Sequence, residues 1–149
     1  MKLSDCHNFE DFRKLAKKKL PSPIFHYIDG GSDDEITLNR NTSSFNDYDL
    51  IPSVLNDVSN VDLSTTVLGE KINFPLFPAA TAMHRLYHHE GERASAKAVD
   101  KVGTIFGLST MSTVSIEEIA KINKGPKLFQ LYIHKDRGLT DNLLERCKK

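Results

Sequence analysis

Short polar side chains end or follow three apolar runs in the second half of the chain. Thr81 ends the first run, Ser109 and Thr110 close the second, and Gln130 and Tyr132 lie in the third. These groups donate and accept hydrogen bonds without carrying a charge at neutral pH. Such a set suits a flat heterocycle with imide and carbonyl edges better than a metal ion or a bare phosphate. The structural alternative is that they only cap the helices that follow.

Gln130 and Tyr132 are two residues apart in the third run. On a strand, that spacing directs both side chains to the same face of the sheet. A glutamine and a tyrosine that share an interior face need hydrogen-bond partners. A bound polar ligand would supply them, and so would buried water.

A cluster of histidines is the other group of residues that could bind a ligand. His84, His88 and His89 lie close together beside Glu90, but adjacent residues do not share a helical face. No H-x-x-x-H pair lies on a predicted helix, so we predict no metal site. The sequence also lacks a GxSxG elbow, a P-loop and an HExxH motif.

Three β/α units in succession are predicted to position these polar residues. Their apolar strands cover residues 75–81, 104–109 and 127–133, and their helices cover 89–102, 116–122 and 136–149. This order predicts parallel strands with helices outside, in either an open doubly wound sheet or a (β/α)₈ barrel. The first strand–helix turn lacks the GxGxxG fingerprint of dinucleotide-binding sheets. A barrel needs eight units and about 250 residues, so three units would leave an open parallel edge.

The helices themselves are predicted from apolar spacing and capping residues. Helix 89–102 is expected to bury Ala94, Ala98 and Val102, and Ser115 is expected to cap helix 116–122.

The first half of the chain is predicted to hold three helices and a hairpin. Asn8 can cap the first helix, prolines begin the second, and a capping box of Ser32 and Glu35 opens the third. Two short β-branched runs then predict a hairpin that turns at Leu68 and Gly69.

Composition limits the class of protein further. The chain has 149 residues, 39% of them apolar and 27% charged, which is typical of one globular domain. Its 20 basic and 20 acidic residues balance, so no global field favours nucleic acid. No apolar run is long enough for a membrane span or a secretory signal. Cys6 and Cys147 form no metal or redox pair and are expected to be free thiols.

Several stretches together resemble one family, the FMN-dependent α-hydroxy acid dehydrogenases and oxidases. They are LPSPIFHYIDGG, TLNRN, VDLSTTVLGEKINFP, AATAM, EGERASAKAVDKVGT, LST with SIEEIA, and FQLYIHKDR. The resemblance implies an α/β fold, the N-terminal part of a (β/α)₈ barrel. Residues 1–149 would form the N-terminal portion of one FMN domain. Residues 1–74 would be its helical segment and hairpin, and residues 75–149 its first three β/α units.

The resemblance also implies roles for individual residues. Tyr27 is expected to bind the substrate carboxylate through its hydroxyl. Tyr132 is expected to contact both flavin and substrate and to act in catalysis. FMN is expected to contact six residues, namely Ala80, Thr81, Ala82, Ser109, Gln130 and Tyr132.

The activity implied is oxidation of a small L-2-hydroxy acid, with L-lactate as the expected substrate and pyruvate as the product. The electron acceptor stays open between a quinone, a cytochrome and oxygen. The family's catalytic histidine lies beyond the position equivalent to Lys149, so the isolated chain is expected to be inactive and poorly stable. The missing C-terminal half of the barrel is then an expected partner. The alternative is a non-catalytic remnant or half-barrel subunit that acts only by assembling with such a partner.

The complete protein is expected to be a homo-oligomer without nucleic-acid partners. Its expected location is the cytoplasm or the inner face of a membrane.

Overall fold

The structure is a computed structural model that describes residues 2–148, which form two compact units, 2–58 and 59–148. The helices are α1 (Phe9–Lys19), α2 (Ser22–Asp29), α3 (Ile36–Ser43), α4 (Glu92–Val102), α5 (Ile116–Ile122) and α6 (Arg137–Cys147). The strands are β1 (Thr65–Val67), β2 (Glu70–Ile72), β3 (Phe106–Ser109) and β4 (Lys127–Gln130). Among the described residues, no helix has both the length and the apolar character needed to cross a bilayer.

The first unit begins with the predicted helix pair α1 and α2. The Asn8 side chain accepts a hydrogen bond from the Asp11 backbone N–H at 2.9 Å, which confirms it as the N-cap of α1. Arg13 on α1 and Asp29 on α2 form a two-point ion pair, in which Nη2 lies 3.0 Å from Oδ2. This pair joins the two helices at the surface of the unit.

The third helix begins in a different way from the prediction. Helix α3 starts at Ile36, after Glu35 in the left-handed region at φ 56°. The Glu35 carboxylate accepts from the Gly31 N–H at 3.0 Å, and the Glu35 N–H donates to the Ser32 carbonyl at 2.9 Å. The predicted capping box is therefore wrong, because residues 32–35 close a separate turn before the helix.

The second unit opens with the predicted hairpin of β1 and β2. The strands are antiparallel, with Val67 opposite Glu70. Leu68 and Gly69 connect them at φ values of 52° and 85°. Two positive φ values in a two-residue loop are typical of a type I′ turn, whose twist matches that of the strands.

Strands β3 and β4 pair in parallel, as predicted, with Phe106 opposite Lys127 and Ser109 opposite Gln130. The core of this unit packs α4 and α5 against the sheet. Its buried side chains are Ala96, Val99, Phe106, Leu108, Val114 and Ile119. Because strand side chains alternate, Gly107 and Ser109 belong to the face turned away from this core.

The predicted first strand, residues 75–81, is not a strand in the structure. Its segment is extended but irregular, and Pro75 and Pro78 lack the N–H groups that a sheet ladder needs. Its backbone is held by a side chain instead, since the Thr104 hydroxyl donates to the Leu76 carbonyl at 2.8 Å. The described chain therefore contains two β/α units with paired strands rather than three.

Helix α4 buries a different face from the predicted one. Its buried side chains are Glu92, Ala96 and Val99, whereas Ala98 and Val102 are exposed. The helix is turned so that an acidic residue of its first turn points inward.

Candidate functional site

The carboxyl ends of β3 and β4 bring Ser109 and Gln130 together. The two residues are direct neighbours in the parallel register, and the Ser109 hydroxyl donates to Gln130 Oε1 at 3.2 Å. Ser109 Oγ also accepts the Met111 N–H at 3.1 Å, which fixes the turn after β3. The polar residues predicted at two strand ends thus meet at one edge of the sheet.

Thr110 closes the end of β4. Its N–H and its hydroxyl both donate to the Gln130 carbonyl, at 2.9 Å and 2.6 Å. Its Oγ1 also accepts the Tyr132 N–H at 3.0 Å. Because Thr110 takes up these backbone groups, β4 ends at Gln130 and the strand predicted to residue 133 is too long.

Tyr132 therefore lies beyond the strand, and strand alternation does not set the direction of its side chain. The residue is 55% exposed and lies two positions after Gln130 in the chain. Its backbone position is fixed by the hydrogen bond to Thr110.

The segment that carries Ala80 and Thr81 lies against β3. A Cβ atom on Gly107 would stand only 2.8 Å from the Ala80 nitrogen, so the bare glycine allows this close approach. The Met83 N–H donates to the Met111 carbonyl at 3.0 Å and joins this segment to the turn after β3. Ala80 thus packs against β3 two residues before Ser109, and Met83 is joined to the turn two residues after it.

Two of the predicted site residues are exposed to solvent. Thr81 is exposed, and its hydroxyl donates to the carbonyl of Ala79 at 3.3 Å. Tyr27 lies on α2 in the first compact unit, and the residue is 59% exposed.

Glu92 is a residue of this region that the sequence interpretation did not single out. It is 1% exposed, and its Oε1 accepts the N–H groups of His84 at 3.2 Å and Thr113 at 2.9 Å. Its Oε2 accepts the Thr113 hydroxyl. Burial raises the pKa of Glu92. The hydrogen bonds from Thr113, from its own backbone and from His84 lower the pKa by more than burial raises it, so the net pKa lies below the ordinary value. The only sequence signal was its place in the first turn after a glycine.

The histidine cluster does not form a metal site. The rings of His88 and His89 lie 4.3 Å apart, and His84 Nδ1 lies 3.3 Å from Ser95 Oγ. Within residues 2–148, no three metal-ligating side chains are grouped so that they could hold an ion.

Parallel β/α units with uncharged hydrogen-bonding groups at their strand ends are typical of the ligand-binding edge of an α/β enzyme. The family model for FMN-dependent dehydrogenases matches residues 16–149. The chain therefore belongs to this family, and FMN is its cofactor.

Relatives and solved structures agree with this assignment. The chain is 46% identical to the L-lactate dehydrogenase of Vibrio parahaemolyticus over 93% of its length, and 40% identical to the glycolate oxidase of Spinacia oleracea over 95%. A lactate oxidase structure from Pediococcus acidilactici matches 97% of the chain at 36% identity with a TM-score of 0.86. An oxidised active mutant of (S)-mandelate dehydrogenase matches 95% of it at 37% identity with a TM-score of 0.84.

The chain spans 36–40% of the length of these four relatives. It corresponds to the N-terminal part of their α/β barrel, which confirms the predicted fold class.

The residues at the strand ends fit a flavin. An isoalloxazine ring offers carbonyl oxygens and ring nitrogens that accept hydrogen bonds, and an imide N–H that donates. Gln130 carries an amide NH₂ group that makes no hydrogen bond within residues 2–148. Ser109 stands beside it, and the tight packing at Gly107 keeps the Ala80 backbone at the same edge. No charged side chain is part of this set.

Proposed function

We propose that the protein oxidises a small L-2-hydroxy acid to the 2-keto acid, with L-lactate as the preferred substrate. The observation that carries this proposal is the Ser109–Gln130 pair at the ends of β3 and β4 in a member of the FMN-dependent family. The relatives are named for lactate, glycolate and mandelate, which are all 2-hydroxy acids. The relative named for L-lactate has the higher identity of the two curated relatives above, 46% against 40%.

In this proposal the described residues bind and orient the flavin. The Gln130 amide donates to the pyrimidine edge of the ring, and Ser109 hydrogen-bonds to the ring beside it. The segment Ala80, Thr81 and Ala82 contacts the ring and the ribityl chain through backbone and side-chain groups. When bound, FMN supplies the acceptor for two electrons.

Two tyrosines are each proposed to bind the substrate. The Tyr27 hydroxyl is proposed to donate to the substrate carboxylate. The Tyr132 phenol is proposed to donate near the reacting hydroxyl and to contact the ring. A donor beside the reacting hydroxyl restricts a small acid to orientations that direct its α-carbon toward the flavin.

The group that removes the α-proton is proposed to come from residues outside this sequence. The histidines present here do not match the family's base, and general base catalysis is typically worth about 10²–10⁴-fold in rate. Residues 1–149 by themselves are therefore proposed to have no turnover and to need the remaining barrel strands for stability.

In this proposal the physiological electron acceptor is a quinone, a cytochrome or oxygen. The complete protein is proposed to be a homo-oligomer, located in the cytoplasm or at the inner face of a membrane.

A substrate panel tests the proposed activity. The protein in its full encoded length is purified with its flavin and assayed by dye reduction with L-lactate, D-lactate, glycolate and (S)-mandelate. The proposal predicts that kcat/KM is highest for L-lactate and that D-lactate is inactive. A higher kcat/KM for glycolate or mandelate would contradict the assigned substrate. Flavin binding without turnover on any acid would favour the non-catalytic alternative.

A further inference from the structure

The buried carboxylate of Glu92 connects two loops that no strand ladder joins. Its hydrogen bonds reach the backbone of His84 in the loop before α4, and both the backbone and the hydroxyl of Thr113 in the loop before α5. A further link is direct, since the Met83 N–H donates to the Met111 carbonyl at 3.0 Å. The two loops are therefore held at one fixed spacing.

These loops continue directly from the residues that face the site. His84 follows Ala82 by two residues, and Thr113 follows Ser109 by four. A shift of either loop would move the backbone of the Ala80–Ala82 segment relative to Ser109. Glu92 itself is 1% exposed and lies at the start of α4, so it does not face the site directly.

The local packing leaves the first loop little freedom to adjust. Gly91 is buried at φ 58°, and a Cβ atom there would stand 2.5 Å from Arg85 Cγ in the same loop. The donors that reach Glu92 from the two loops are two N–H groups and one hydroxyl. A carboxylate accepts all of them at once, because it carries two oxygens with about four acceptor positions.

We propose that Glu92 is a positioning residue for the flavin, one that sets the distance between the Ala80–Ala82 segment and Ser109. This inference rests on the proposed function, because it assigns the flavin ring to those two segments. Glu92 touches neither substrate nor flavin and takes no part in proton transfer. Its effect is on how tightly and in which orientation the ring is held.

The test compares three variants of the full-length holoprotein. Glu92→Gln removes the charge, and Thr113→Val removes the hydroxyl donor from the other side of the same contact. Glu118→Gln is the matched control, because it breaks the Arg93–Glu118 ion pair between α4 and α5 without removing any of the hydrogen bonds that Glu92 makes to the two loops. FMN dissociation constants, KM and kcat for L-lactate, visible circular dichroism of the flavin, and amide exchange at His84 and Thr113 are measured for each variant.

Weakening hydrogen bonds to a charged acceptor is expected to raise the FMN dissociation constant about tenfold in Glu92→Gln, and less in Thr113→Val. The flavin dichroism should change in both variants, and kcat should fall more than KM rises. The amides of His84 and Thr113 should exchange faster. Glu118→Gln should leave the dissociation constant, the dichroism and both amides close to the wild-type values.

Equal changes in FMN affinity, flavin dichroism and amide exchange in Glu92→Gln and Glu118→Gln would overturn the proposal, since they would indicate general destabilisation. Unchanged FMN affinity and dichroism in Glu92→Gln would also overturn it. If the wild-type protein binds no FMN, the proposed function fails and the positioning role fails with it. Faster exchange in Glu92→Gln would then still show that Glu92 orders the two loops.

Discussion

At the scale of single residues, the flavin assignment depends most on the amide of Gln130. Its oxygen accepts from Ser109, and its NH₂ group faces no partner within residues 2–148. Gln130→Leu should remove one hydrogen bond to the ring, worth about 0.5–1.5 kcal/mol, and raise the FMN dissociation constant accordingly. Fluorescence titration of the apoprotein with FMN measures this. The exposed Asn142→Leu on α6 serves as the matched control, and equal affinities in the two variants would contradict the assignment.

Substitutions of the two tyrosines should change different kinetic parameters. Tyr27→Phe removes a donor to the carboxylate, a group that is bound equally in the ground state and the transition state, so it should mainly raise KM. Tyr132→Phe removes a donor beside the reacting hydroxyl, so it should mainly lower kcat. Steady-state assays with L-lactate test this difference. If the change in KM relative to the change in kcat were the same in both variants, the roles assigned to Tyr27 and Tyr132 would be wrong.

At the scale of elements, the turn of the hairpin contains an unfavourable residue. Leu68 adopts φ 52°, and 78% of its surface is exposed. Packing of its side chain therefore offsets little of the energetic cost of the left-handed backbone. That conformation costs a residue such as leucine about 1–2 kcal/mol, and asparagine tolerates it better. Leu68→Asn should therefore raise the midpoint of thermal unfolding of the full-length protein. An unchanged or lower midpoint would be inconsistent with a type I′ turn at this position.

The close approach between β3 and the Ala80 segment is also open to a direct test. A methyl group added at Gly107 would stand 2.8 Å from the Ala80 nitrogen. Gly107→Ala should therefore displace the segment, destabilise the protein by about 1–3 kcal/mol and weaken FMN binding. Gly125→Ala is the matched control, since its nearest neighbour would be at 3.5 Å. Denaturant titration and FMN titration of both variants check this. Equal unfolding free energies and equal FMN affinities in the two variants would contradict the close approach of Ala80 to Gly107.

Local signals in the sequence predicted much of this architecture. Asn8 and Ser115 both accept the N–H three residues ahead of them, and Leu68 and Gly69 form the expected turn. The end of β3 at Ser109 was also predicted, because its apolar run stops there, whereas the third run continues to residue 133 and did not predict the end of β4 at Gln130.

The remaining features depend on partners far along the chain. Residues 75–81 have the composition of a strand, but Thr104 and Gly107 decide how their backbone is held. From its sequence position alone, Glu92 would be expected to be an exposed residue in the first turn of a helix. It is buried because the loop that carries Thr113 covers it. Sequence spacing alone contains no information on such contacts.

At the scale of the whole molecule, buried and paired carboxylates predict sensitivity to acid. The Arg146 guanidinium hydrogen-bonds to Glu117 and lowers the pKa of that carboxyl from 4.5 to about 2, and the pKa of Glu92 is lowered as well. A carboxyl whose pKa is lower in the folded state stabilises the fold above its unfolded pKa, and this stabilisation is lost as the pH falls through the folded value. The unfolding free energy should therefore decrease as the pH falls from 4.5 toward 2.

Denaturant titrations across that pH range measure the decrease. Glu117→Gln should make the dependence on pH shallower, because one of the shifted carboxyls is gone. A Glu117→Gln curve parallel to that of the wild type would contradict this assignment of the acid sensitivity.

The central claim is that this chain contributes the flavin-binding edge of a 2-hydroxy acid oxidising enzyme. An anaerobic titration of the full-length protein with L-lactate tests it most directly, with the absorbance of the bound flavin as the signal. The account predicts that the oxidised flavin spectrum is present at the start, that L-lactate bleaches it, and that pyruvate forms in equal amount. A protein that carries no flavin, or a flavin spectrum unchanged by L-lactate, glycolate and mandelate alike, would contradict it.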